Sequence, residues 1–238
     1  IYSKIDLSFI TEFDTITGPK WSTQNIVLNG DQAYVAINNG FEWGNEKGLV
    51  GIVDMSTMSY IQEIYLGQNG TNPDNMVFDG TYLYTINNKD WSGTSISKID
   101  INTNSPITTD ISSISTGCGT SCLRDNKINY QVSGDTILYE WDPQLMLNTG
   151  NSIGFSQNFY ELAIDSINNY LYATSTDWFS YGLVQIYDGN NVLLSSFSCG
   201  ISPGTIAFDT RNMTTSVEEE PIISNKLFYY DILGRIST

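Results

Sequence analysis

The chain has no histidine, and its 10 lysines and arginines face 26 aspartates and glutamates, for a formal charge of −16. Without imidazole the commonest general base is missing, and so are the usual histidine-activated nucleophiles. A zinc site would have to be made from thiols and carboxylates alone. The few bases never gather into a stripe, and so acidic a chain repels a phosphate backbone. Nucleic acid and anionic membrane surfaces are therefore excluded as partners. No apolar run approaches the ~20 residues needed to cross a bilayer, and none has the form of a signal-peptide core, so no membrane span is expected. Helical periodicity is absent from every stretch of about 10 residues or more. Three cysteines are too few for a disulfide framework. Cys118 and Cys122, in TGCGTSC, are candidates for one local disulfide that closes a glycine-flanked loop, with two packed thiols as the alternative. Cys199 has no evident partner and reads as a small buried hydrophobe.

What is present points to a folded, turn-rich chain. Hydrophobic residues make up 40% and aromatics 13%, amid many Gly, Asn, Asp, Ser and Thr. Two markers recur with one period. The first is apolar, any, apolar, Asp or Asn, turn, then apolar-Tyr. It begins at Ile26, Met76, Cys122 and Leu162, and its first half repeats in TIAFD from Thr205. Its turn positions are Asn29, Asp79, Asp125, Asp165 and Asp209. The second is a strand ending in aspartate, at Asp6, Asp54, Asp100, Asp142 and Asp188. Four short strands in about 45 residues is the size of a propeller blade.

The expected fold is an all-β β-propeller of four-stranded antiparallel blades at about 25–68, 75–116, 121–155 and 161–201, with partial blades at 1–18 and 205–210. The opening at Ile1 reads as mid-strand, so the chain is expected to be part of a larger ring, seven blades being one size; a closed five-bladed ring is the alternative. The charged run RNMTTSVEEEP at 211–221 reads as a linker, and 222–238 as the start of a second module.

AYVAINNGFEWGNEKGLVGIVD, NGTNPDNMVFDG, NNKDWSGTSIS, GCGTSC and SPGTIAFD together resemble a group of secreted Bacteroidota propellers related to the YVTN-type surface propellers. FYYDILGR is similar to the opening strand of the type IX secretion C-terminal sorting domain. The resemblance implies export and an extracellular or outer-membrane cell-surface location, with the type IX secretion machinery as partner of the C-terminal segment. It implies no activity.

In such a blade the loop between strands two and three and the loop leading to the next blade emerge on one face. Glu42-Trp43, Asp90-Trp91 and Asp177-Trp178 are acid–tryptophan pairs at the first of these places. Trp21, Asn72, Asp74 and Tyr160 are at the second. Aromatic rings beside carboxylates and amides suit a sugar, whose C–H face stacks while its hydroxyls hydrogen-bond, and they suit a peptide as well. These ten residues are the candidate ligand-binding set for a non-enzymatic binding module. The bland reading is that the indoles pack between blades and the acids cap loop N–H groups. No cofactor is expected. An enzymatic alternative, a propeller hydrolase of the lactonase kind, would hold calcium on Glu42, Asn72, Asp90 and Asp177, although no local calcium loop supports it. A structural surface-layer or adhesin repeat is the third possibility.

Overall fold

The computed structural model describes residues 1–208 apart from 4, 15, 40 and 41, and the backbone of 229–230 and 236–237. The linker read at 211–221, Asp209 and most of the second module lie outside the described residues.

Residues 1–207 form one compact unit, and 208–238 a second. In the first unit four antiparallel four-stranded sheets follow one another in chain order. Blade one holds β1 (Ser22–Asn29), β2 (Gln32–Asn38), β3 (Gly48–Asp54) and β4 (Ser59–Tyr65). Blade two holds β5 (Pro73–Phe78), β6 (Tyr82–Asn87), β7 (Thr94–Asp100) and β8 (Ser105–Ser112). Blade three holds β9 (Thr116–Arg124), β10 (Lys127–Val132), β11 (Ile137–Asp142) and β12 (Leu147–Gly154). Blade four holds β13 (Glu161–Asp165), β14 (Tyr170–Ser175), β15 (Leu183–Tyr187) and β16 (Leu193–Ser198). The expected all-β architecture of propeller-like blades is thus present. The only helical segment among the described residues is one 3-10 turn, Lys89–Trp91. In the second unit β17 (Tyr229–Tyr230) pairs with β18 (Ile236–Ser237).

The alternation of side chains along each strand explains how the blades stack. In β6, Leu83 joins Tyr34, Val50, Ile52 and Ile64 in a core between blades one and two. Its neighbours Tyr84 and Ile86 point the other way, into a core with Ile128, Tyr130 and Trp141 of blade three. A third core joins Cys122 and Leu138 to Phe159, Leu162 and Leu171 of blade four. Inner blades are therefore apolar on both faces, and each fully buried side chain of this size contributes about 1.5–3 kcal/mol.

The recurring aspartates have a physical cause. Asp54, Asp100, Asp142 and Asp188 each accept a backbone N–H two residues on, at 2.8 Å. The turns are completed by Met58, Asn104, Met146 and Asn191, with φ between 50° and 64°. Asp79 and Asp165 do the same for the strand one-to-two turns. The second marker is thus an Asx turn at a fixed place in every blade, and the first is one in blades two and four.

Two expectations change. Among the described residues, the segment before blade one carries a single bridge, Tyr2 with Phe9, in place of paired strands, and residues 205–207 are assigned to no strand. A lone hairpin with no third strand gains too little to form a ladder. Cys118 and Cys122 are free thiols, not a disulfide. Both belong to β9, where Cys122 packs in the third core while Cys118 is exposed. The bulge between Thr116 and Ser121 turns Cys118 to the exposed side while Cys122 stays in the core, so the two thiols are not paired.

Candidate functional site

The loops between the second and third strands of each blade meet the inter-blade loops at one end of the sheets. Asn88 N donates to Asn72 O at 3.0 Å and Lys89 N to Thr71 O at 3.1 Å, tying the β6–β7 loop to the segment entering β5. In blade four, Thr176 Oγ1 and Ser202 Oγ are 3.2 Å apart.

On this face the three acid–tryptophan pairs present their indoles outward. Trp43 is 88% exposed, Trp91 62% and Trp178 61%. Packing between blades, the bland reading, does not describe them. Trp91 belongs to a left-handed turn in which Lys89, Asp90 and Trp91 have φ of 50°, 51° and 67°. For residues other than glycine this conformation costs about 1–2 kcal/mol each. The turn is held by Trp91 N on Asn88 O at 2.9 Å and by the ion pair of Lys89 with Asp110 at 2.9 Å. Strain retained in an exposed loop is a feature of sites that position a side chain for recognition.

The acids of the pairs differ. Glu42 accepts the Trp21 indole N–H at 2.8 Å, which lowers its pKa, so Trp21 and Glu42 form a single unit. Asp177 folds over its own loop, accepting Phe179 N, Ser180 N and Ser180 Oγ at 2.7–2.9 Å, and is held down to about 2. Asp90 is pushed upward by burial and by the nearby charge of Glu46. It borders an open groove of about 500 Å³ with Glu46, Lys47, Gln68 and Thr71. Asp90 and Gly44, which both line this groove, are the chain neighbours of Trp91 and Trp43. In blade four, Tyr160 meets Trp178 edge-on at 4.8 Å, and Phe179 and Tyr181 are also exposed. A second groove of about 360 Å³ lies against this loop, lined by Asn158, Asp177 and Tyr181 among others.

Asn72 and Asp74 sit deeper. Asn72 is buried and bonds Asn88 through its amide. Asp74 is pushed up to about 7 by burial and then by the charge of Asp90, and its Oδ2 has no partner. Of the four calcium candidates, Glu42 accepts from Trp21, Asn72 donates to Asn88 and Asp177 accepts from its own loop. Among the described residues no group of three or more Cys, Asp or Glu is placed to hold a metal.

Sequence reasoning missed the channel where the inner strands β1, β5, β9 and β13 come together. Its signal is the polar residue just ahead of the first apolar position in each first marker: Asn25, Asn75, Ser121, Glu161 and Thr205. Asn25 Nδ2 donates to Asn75 Oδ1 at 2.7 Å, and Asn75 Nδ2 to Ser121 Oγ at 3.0 Å. Glu161 is pushed up to about 8 by burial.

No protein-family model and no curated protein matches this chain.

Proposed function

We propose that this chain is a secreted or cell-surface, non-enzymatic binding propeller whose loop face takes a carbohydrate or peptide. The observation that carries the reading is the outward exposure of Trp43, Trp91 and Trp178 from equivalent loops, two of them next in the chain to residues that line a groove with Glu46 and Gln68. Apolar rings held in water by strained or locally capped loops contribute little to the fold. Stacked on a pyranose or a peptide side chain they contribute binding energy, while neighbouring carboxylates and amides set orientation. An acidic surface of net charge −16 favours neutral glycans or basic peptides over anionic ones. The extracellular assignment rests on the resemblance to secreted surface propellers and on FYYDILGR, which would engage the type IX secretion machinery.

A glycan array and a peptide pull-down, run with the wild-type chain and with Trp91→Ala and Trp178→Ala, test this. The expected outcome is a retained ligand class whose signal drops at least tenfold in one or both variants while melting temperatures stay within about 2 °C, as expected for surface substitutions. A ligand indifferent to both substitutions, or no ligand on either platform, overturns it.

A further inference from the structure

The space between the inner strands is an open cleft of about 710 Å³. Its upper belt is Asn25, Asn75, Ser121, Glu161 and Thr205, and the levels below are apolar, with Ile26, Met76, Leu162 and Ile206 next in each strand. Among the described residues Glu161 is the only charged one lining it, and no lysine or arginine does. The carboxylate of Glu161 lies against Gly119, where an added Cβ would stand 1.7 Å from Oε2. The bulge in β9 and the left-handed Gly119, φ 75°, make the room it occupies. Among the described residues no donor hydrogen-bonds to this carboxylate and no base pairs with it. Glu161 is half-buried, and drawing a carboxyl part-way out of water without a partner costs free energy that falls when a cation is supplied.

We propose that this channel is a second binding site, for a primary ammonium group carried on a slim apolar chain, with Glu161 as its counter-ion. A compact ammonium has three donors and needs only one carboxylate plus neutral oxygens, which the amide and hydroxyl belt provides. Calcium calls for six to eight oxygens, more than one acid among amides offers. A guanidinium is a flat fork suited to bidentate pairing in a wider opening. The apolar levels under the belt span about 10 Å, three strand residues, which accommodates an alkyl chain of lysine length or slightly more. The ammonium comes either from a free alkyl amine or from a lysine side chain of a peptide. The site does not depend on the loop-face tryptophans.

Binding requires Glu161 to give up its proton. With its pKa raised to about 8, affinity for an amine that stays protonated rises about tenfold from pH 6 to 7 and about fivefold from pH 7 to 8. The titratable groups facing it are Cys118 and Cys122 on β9 and Tyr160 beside it, all raised and uncharged in that range. Asp74, which acts on Cys118, is raised to about 7, so Asp74→Asn serves as a control that should keep the pH dependence.

The test is isothermal titration of the whole chain with hexylamine hydrochloride, 1-hexanol and acetyl-Gly-Lys-Gly-amide at pH 6, 7 and 8. Methyl NMR provides a second readout: the Met76 methyl, on the channel wall, should shift and the Met58 methyl, on a turn, should not. Expected are amine binding at least tenfold tighter than hexanol, a loss of at least tenfold in Glu161→Gln with no drop in melting temperature, and full retention in Trp91→Ala and Trp178→Ala. Binding of hexylamine alone assigns free amines as the source; binding of the tripeptide assigns lysine side chains. Equal binding of hexanol, undiminished binding to Glu161→Gln, a silent Met76 methyl or no binding of either amine overturns the proposal. Loss in the tryptophan variants alone would count against this site and leave the loop-face reading standing.

Discussion

Raising the pH from 5 to 8.5 is expected to destabilise this protein, and two carboxyl groups account for most of the effect. Asp74 is displaced from 3.8 to about 7 by burial and by Asp90, and Glu161 from 4.5 to about 8 by burial. A group whose folded pKa lies above its unfolded one binds its proton more tightly in the fold. Its stabilising contribution is complete below the unfolded value and is lost as pH rises through the folded value. The windows therefore run from 3.8 to about 7 and from 4.5 to about 8. At about 1.4 kcal/mol per pKa unit, each is worth at most about 4–5 kcal/mol. Residual solvent contact screens part of this, leaving a fall of roughly 3–6 kcal/mol for the pair. The turn aspartate Asp142 and the loop aspartate Asp177, held near 2, act in the opposite sense: their contribution is present above 3.8 and lost as pH falls towards 2. Maximum stability should lie at about pH 4–5, below the neutral range usual for folded proteins. The assay is urea unfolding followed by tryptophan fluorescence at pH 5, 6.5 and 8.5, on the wild type, Asp74→Asn, Glu161→Gln and the double variant. The wild-type midpoint should fall with pH at constant m-value, and the double variant should lose most of that slope. A flat wild-type profile, or a double variant that keeps the full slope, refutes the reasoning.

Trp141 is fully buried in the core between blades two and three, edge-on to Tyr84 at 6.3 Å. Trp141→Ala should cost about 3–5 kcal/mol by calorimetry, whereas Trp43→Ala, at an exposed position, should stay within about 0.5 kcal/mol. Ellman titration of the denatured chain without reductant should give three thiols, the three free cysteines. Dithiothreitol should leave the melting temperature unchanged. A count of one thiol would restore a disulfide.

Blade number and strand positions were legible in the sequence because the turn chemistry is written locally. An aspartate two residues before the N–H it accepts, followed by a residue with positive φ, marks the same corner in every blade. The placement of Glu42-Trp43, Asp90-Trp91 and Asp177-Trp178 on equivalent loops followed from that period. The orientation of the indoles did not, since one acid–tryptophan pair can cap and pack or stand in water depending on backbone torsions such as those of Lys89 to Trp91. The cysteine pair misled because the glycine-flanked bulge between Thr116 and Ser121 is there, but it sets Cys118 outside while Cys122 stays in the core. Glu161 escaped notice for a different reason. Its significance depends on burial against Gly119, a contact across blades that no local pattern encodes.

Each apolar core is shared by two consecutive sheets, and no core gathers three. Mechanically, the stack is a row of coupled springs in which strain or stiffening passes only from neighbour to neighbour. A ligand clamped over the groove between blades one and two would rigidify that junction first. Hydrogen exchange in blade four would register it only after attenuation through two further interfaces. A lesion such as Trp141→Ala at the middle junction should cut this transmission, so that the two halves of the stack respond to heat and to ligand separately.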